Sequence, residues 1–167
     1  MWTLALGVAL AVGLAPPSAS DARSSPGDRQ RLVSIARALE QAPLKPGAKA
    51  DRKWALDWIV NAPDVSVTVC QYTLEGVVEN DYRFAGEIMF QDMFAQAAFA
   101  IEHPEAANDA NAQHLAGVEG ALNAYRSILR DKPEAKWPAL ETLLQIQSAG
   151  TLPDFIRAAL VRCAAKN

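Results

Sequence analysis

The chain has 167 residues, 50% hydrophobic and 21% charged, and its 16 Lys+Arg against 19 Asp+Glu leave a formal net charge of −3. That balance excludes a wholly disordered chain, which needs low hydrophobicity and high net charge. It also lacks the basic excess with which a dedicated nucleic-acid binder meets phosphate.

Trp2 to Leu14 is uncharged and mostly apolar, Pro16-Pro17 follows, then Ser18-Ala19-Ser20, and the first charged side chain is Asp21. An apolar run, a helix breaker and small residues, in that order, describe a secretory signal. We expect a signal peptide over residues 1–20, cleaved near Ser20 or Ala22, although no Lys or Arg precedes the apolar run. No cysteine follows that run, which argues against a lipoprotein anchor. Residues 21–27 read as a flexible leader, and 28–167 as a single domain long enough to bury a core. Beyond the N-terminal run no stretch of 18 apolar residues occurs, so the mature chain is expected to carry no membrane span.

Ser25-Pro26-Gly27-Asp28 is a helix start, with a capping Ser, Pro in the first turn and an acid at the positive end of the dipole. Leu32, Ile35, Ala36 and Leu39 share a face of the helix that follows, which should stop before Pro43. Lys45-Pro46-Gly47 opens a second helix that ends at Pro63. It places Trp54 and Trp58 four residues apart on one face.

Residues 64–78 are ambiguous. Val65, Val67 and Val69 alternate as in a strand, while Val67, Cys70, Leu74, Val77 and Val78 fit a helical stripe. No other segment reads as a strand, and a lone strand has nothing to pair with. We therefore expect a helix, capped by Asp64.

Asp81 to Glu102 is apolar on nearly every side and should be the central helix. Arg83, Glu87 and Gln91, flanked by Asp92 and Gln96, form its one solvated strip. His103-Pro104 ends it. The next helix runs to about Asp131 and carries a small-residue face of Gly117, Gly120, Ala121 and Ala124. Two internal glycines cost about 1 kcal/mol each relative to Ala, so they imply close approach of a neighbouring backbone. The Ala-rich end of the central helix is the expected neighbour. Trp137-Pro138 opens a shorter helix closed by Gly150, and Thr151-Leu152-Pro153-Asp154 resembles a capping box for the last one. The fold class is therefore all-α, a compact bundle of about six or seven helices.

Ala121, Tyr125, Ile128 and Pro133 share the spacing of the second half of a tetratricopeptide repeat. The upstream slots hold Glu105, Asp109 and Ala112, however, so no repeat is inferred.

Cys70 and Cys163 are the two cysteines. Their separation excludes a CxxC motif and a four-Cys zinc site. In an exported chain an even, minimal count points to one disulfide, Cys70–Cys163.

Catalytic signatures are missing. There is no HExxH, P-loop, GxGxxG or GxSxG, and nothing calls for a cofactor or a metal. His103 is expected at a helix C-terminus and His114 at a core boundary. Two function classes remain. In the first, Met89, Met93, Phe90 and Phe94 line a groove for a partner protein or a small apolar ligand, unless they simply pack the core. In the second, Glu87 is the general acid of a cell-wall glycan hydrolase, unless it merely pairs with Arg83 at i,i−4. Our expectation is the first: a non-enzymatic binding or interaction module in the envelope or outside the cell. It has no nucleic-acid partner, and its oligomeric state stays open.

Overall fold

A computed structural model describes residues 23–74, 76–77 and 81–166. The expected signal peptide, residues 1–20, lies outside the described residues, as do both cleavage points. Six α-helices follow one another: α1 Pro26–Gln41, α2 Ala48–Asn61, α3 Ala85–Glu102, α4 Ala110–Asp131, α5 Pro138–Ser148 and α6 Leu152–Ala164. Single 3-10 turns at Pro104–Ala106 and Pro133–Ala135 lead into α4 and α5. The chain is an all-helical single domain, and no helix among the described residues is long and apolar enough to cross a membrane.

The local grammar accounts for most of the helix ends. Ser25 caps α1, its Oγ accepting from the Asp28 amide at 3.1 Å. Asp109 caps α4 by accepting from the amides of Asn111 and Ala112. Gly150 adopts φ 74° after α5, so that the Thr151 amide reaches back to the Ile146 carbonyl and the Gly150 amide to Gln147. That pair of bonds is a Schellman closure. It corrects the expected capping box: the Thr151 hydroxyl donates to the Ile146 carbonyl and closes α5 instead of opening α6, while Asp154 pairs with Arg157.

α3 and α4 form the heart, with α1 packed on both, α2 on the α1/α3 flank and α5 and α6 on the side of α4. Two apolar cores result. One gathers Ile88 of α3 with Val118, Leu122, Tyr125 and Ile128 of α4 and with Leu140 and Ile156 from the last two helices. The other joins Leu32, Ala36 and Leu39 of α1 to Ala55 and Ile59 of α2 and to Phe94, Ala97 and Ala98 of α3. Each fully buried Leu, Ile or Phe stabilises by about 1.5–3 kcal/mol relative to exposure. The Trp54 and Trp58 rings stack 6.3 Å apart beside the second core, with the Arg31 guanidinium 4.0 Å above Trp54.

The glycines of α4 sit where α3 crosses. A Cβ at position 117 would lie 2.5 Å from Asp92 Oδ1, 2.8 Å from Gln96 Cγ and 3.0 Å from the Asp92 backbone oxygen. At position 120 it would lie 2.5 Å from the Ala95 Cβ. The Asp92 backbone oxygen cannot yield unless α3 moves. Gly117→Ala should therefore cost about 1–2 kcal/mol net, overpacking outweighing about 1 kcal/mol of gained helix propensity. Urea unfolding measures this directly; an unchanged midpoint would mean that the crossing can relax.

The described residues of the 64–78 stretch do not form the expected helix. From Val65 to Cys70 the described chain is extended, and Gln71–Leu74 is a turn closed by the Thr73 amide on the Cys70 carbonyl at 3.1 Å. Four of the five residues from Val65 to Val69 are β-branched, which disfavours helix. Asp64 does not cap: its carboxylate accepts from Arg29 Nη1 at 2.7 Å and from the Ser24 amide at 3.1 Å. The extended segment needs no partner strand, because side chains of α3 and α4 meet it.

Candidate functional site

Disulfide Cys70–Cys163 is formed, with an S–S distance of 2.00 Å and Cα atoms 5.9 Å apart. It ties the extended segment to α6. Two residues earlier, Thr68 ties the same segment to the heart of the bundle. The Thr68 amide donates to Gln96 Oε1 at 3.4 Å, and Thr68 Oγ1 lies 2.9 Å from His114 Nε2.

Gln96 is the hub of a polar cluster between α3 and α4. Its Nε2 donates to Asp92 Oδ2 at 2.8 Å and faces His114 Nδ1 at 3.5 Å. A donor opposite Nδ1 fixes the neutral tautomer that carries its proton on Nε2, which then donates to Thr68 Oγ1. Burial also pushes the His114 pKa down, in keeping with a neutral ring. A hydroxyl, an imidazole and a third group in line invite comparison with a nucleophile–base relay. The proton, however, sits on the wrong nitrogen for His114 to take one from Thr68. The cluster is a latch holding the segment down.

Two expectations are corrected here. His114 is 1% exposed and not at a boundary, and the strip expected to be solvated is largely inside. Gln91, Asp92 and Gln96 are all buried. Their polarity misled the reading of α3: α1, α4 and the extended segment cover that face, and side-chain hydrogen bonds replace water. Gln91 Nε2, for example, donates to the Ala36 carbonyl at 3.1 Å.

Against the outer side of this cluster lies a cavity of about 180 Å³. Met89 and Met93 of α3 form one wall, Val69, Thr73 and Leu74 of the segment the other, and Asp92 is part of the lining. The Thr73 hydroxyl is already engaged, donating to the Cys70 carbonyl at 2.8 Å. Among the described residues Asp92 is the one ionisable side chain in the wall. One carboxylate oxygen takes the Gln96 bond; the other, Oδ1, is buried with no hydrogen-bond partner. Loss of solvation pushes the Asp92 pKa up to about 7, against the smaller downward pull of Gln96. A larger and more open hollow of about 680 Å³ runs between residues 59–67 and Ala107-Asn108. Its volume is mostly surface groove, and no orphaned buried polar atom faces it among the described residues.

The sequence candidates divide. Met89 and Met93 line the cavity, whereas Phe94 is fully buried in the α1/α2/α3 core and Phe90 stacks on it at 6.1 Å. Glu87 lies outside the cavity wall. Its carboxylate faces Arg52 Nη2 at 3.5 Å, while Arg83 stands 3.9 Å from Glu134. The acid in an apolar setting is Asp92, which the helical pattern had assigned to the flank of a wet strip. His103 caps α3 and pairs with Glu105 at 3.3 Å. Among the described residues no three His, Cys, Asp or Glu side chains come together as a metal ion would need.

No family model matches the chain, and neither does any curated protein or solved structure.

Proposed function

We propose that the chain is an exported, non-enzymatic binding module and that the cavity between the 69–74 segment and α3 is its ligand site. The cavity carries this reading: it is lined mostly by adaptable Met side chains and apolar residues, with one carboxyl group among the described residues, the composition expected of a small-ligand pocket. A volume near 180 Å³ suits a single ring, since a cavity of roughly 150 Å³ accepts benzene. A disulfide and an apolar N-terminal run followed by small residues support an oxidising, extracytoplasmic setting.

Benzyl alcohol is a suitable neutral probe. With ¹³C-methyl-labelled methionine, the Met89 and Met93 resonances should shift on titration, and Met89→Trp, which fills the space, should abolish the response. If the Met resonances do not move at millimolar probe, the cavity is not a ligand site. The glycan-hydrolase reading rests on Glu87 and has its own test. On our reading Glu87→Gln leaves stability within about 1 kcal/mol, as for an exposed ion pair. It also leaves cell-wall glycan turnover by the purified chain at background. Turnover by the wild type that Glu87→Gln abolishes would replace the binding reading.

A further inference from the structure

Resting on the cavity reading above, we infer that the ligand is a small primary amine, an ammonium group on a compact apolar body, with Asp92 as its counter-ion. The observations converge on one residue. Among the described residues the wall holds a single ionisable group, and that group is an acid. No Lys, Arg or His among them lines the cavity to compensate it. Asp92 is 5% exposed, and only one of its two oxygens is bonded; the other, Oδ1, lies against the Gly117 backbone of α4, so an ammonium reaches it when the carboxylate turns toward the cavity. A buried carboxylate lacking a cation is costly, and a ligand that brings the cation removes that cost. The remaining wall of Val69, Leu74, Met89 and Met93 offers apolar contact to the body of such a ligand, and thioethers pack well against rings. An anionic ligand is disfavoured by the same carboxylate. A neutral apolar ligand would leave Oδ1 as it stands, unpaired.

A proton balance follows. Among the described residues around Asp92, α3 presents Gln96, α4 presents the Gly117 backbone with neutral His114 behind Gln96, and the segment presents Thr73 in the same cavity wall; none of these is charged. Below pH 7 Asp92 is largely protonated, so binding of the ammonium form expels one proton from its carboxyl group. Above pH 7 it expels none until the amine itself titrates.

Benzylamine and benzyl alcohol, of similar size and differing in charge, test the inference on the disulfide-intact chain by calorimetry between pH 5 and 8.5. Benzylamine affinity should rise about tenfold per pH unit from 5 to 6.5 and level off above 7, while benzyl alcohol affinity stays flat. Asp92→Asn should weaken benzylamine at pH 8 by at least about tenfold, the low end for truncating a buried charge pair. It should also erase the pH dependence. If benzyl alcohol binds but benzylamine binds no more tightly and shows no pH slope, the ammonium inference is overturned while the cavity reading stands. If neither probe binds, the cavity reading fails and the inference fails with it.

Discussion

Replacing both Cys70 and Cys163 with serine should lower the unfolding free energy by about 4 kcal/mol. The bridge spans 93 residues of sequence, so its removal frees most of the domain in the denatured state. The native state also loses a fixture. The described residues between 65 and 77 contain no α-helix, and after the substitution they would be held by the Thr68 contacts, the bond from the Trp137 indole to the Gly76 carbonyl, the Arg162 and Lys166 contacts on the Tyr72 ring, and burial of Val65, Leu74 and Val77. Urea unfolding of the double variant should show a lower midpoint and a steeper slope, because the unbridged denatured chain exposes more surface. Hydrogen exchange at the Thr73 amide, which closes the turn on the Cys70 carbonyl, should accelerate more than at the α4 amides. A loss under about 1 kcal/mol would mean that the reduced denatured chain keeps this segment collapsed.

The helices were legible because they carry strong local signals. Ser25-Pro26, Trp137-Pro138 and Gly150 mark real ends, and Gly117 and Gly120 correctly announced a close crossing with α3, Gly120 meeting the expected Ala95 and Gly117 meeting Asp92 and Gln96 instead. The disulfide was legible from cysteine count and expected compartment. Residues 64–78 were not, because two periodicities overlap there and the deciding contacts, Thr68 to Gln96 and His114, lie 28 and 46 residues away. The site was legible only by half. Met89 and Met93 stood out as adaptable apolar residues, but Asp92 and Gln96 looked like members of a wet strip beside Glu87. Polarity alone cannot distinguish a solvated face from a face whose water has been replaced by side-chain partners. One signal did exist. Gly117 removes a side chain from α4 just where Asp92 and Gln96 of α3 need room, and a glycine opposite a polar pair marks a buried polar contact.

The second large effect belongs to Asp92→Asn and depends on pH. Burial raises the Asp92 pKa from 3.8 to about 7, so between those values the folded chain holds a proton that the unfolded chain has released. Stability from this group is therefore full below pH 3.8 and is lost as pH rises through 7. The loss approaches about 4 kcal/mol above pH 7, at about 1.4 kcal/mol per pKa unit. His114 runs the other way. Its pKa is lowered by burial, so its contribution is full above the ordinary value of 6.5 and declines as pH falls below it. Asparagine at position 92 reproduces the shape of the protonated acid and keeps an oxygen for the Gln96 amide. The variant should match the wild type near pH 4 and exceed it by up to about 4 kcal/mol at pH 8.5, leaving the His114 slope as the visible trend of the pair. Chemical denaturation of both proteins at four or five pH values gives the difference curve. A flat difference would mean that water or local rearrangement solvates Asp92 in the folded state. A rising one would show that the free protein retains, at neutral pH, an acid that weakens it. Breaches of this kind are expected where a site is kept for use. Benzylamine should then stabilise the wild type more at pH 8 than at pH 5, and stabilise Asp92→Asn less than the wild type at pH 8 and equally at both pH values.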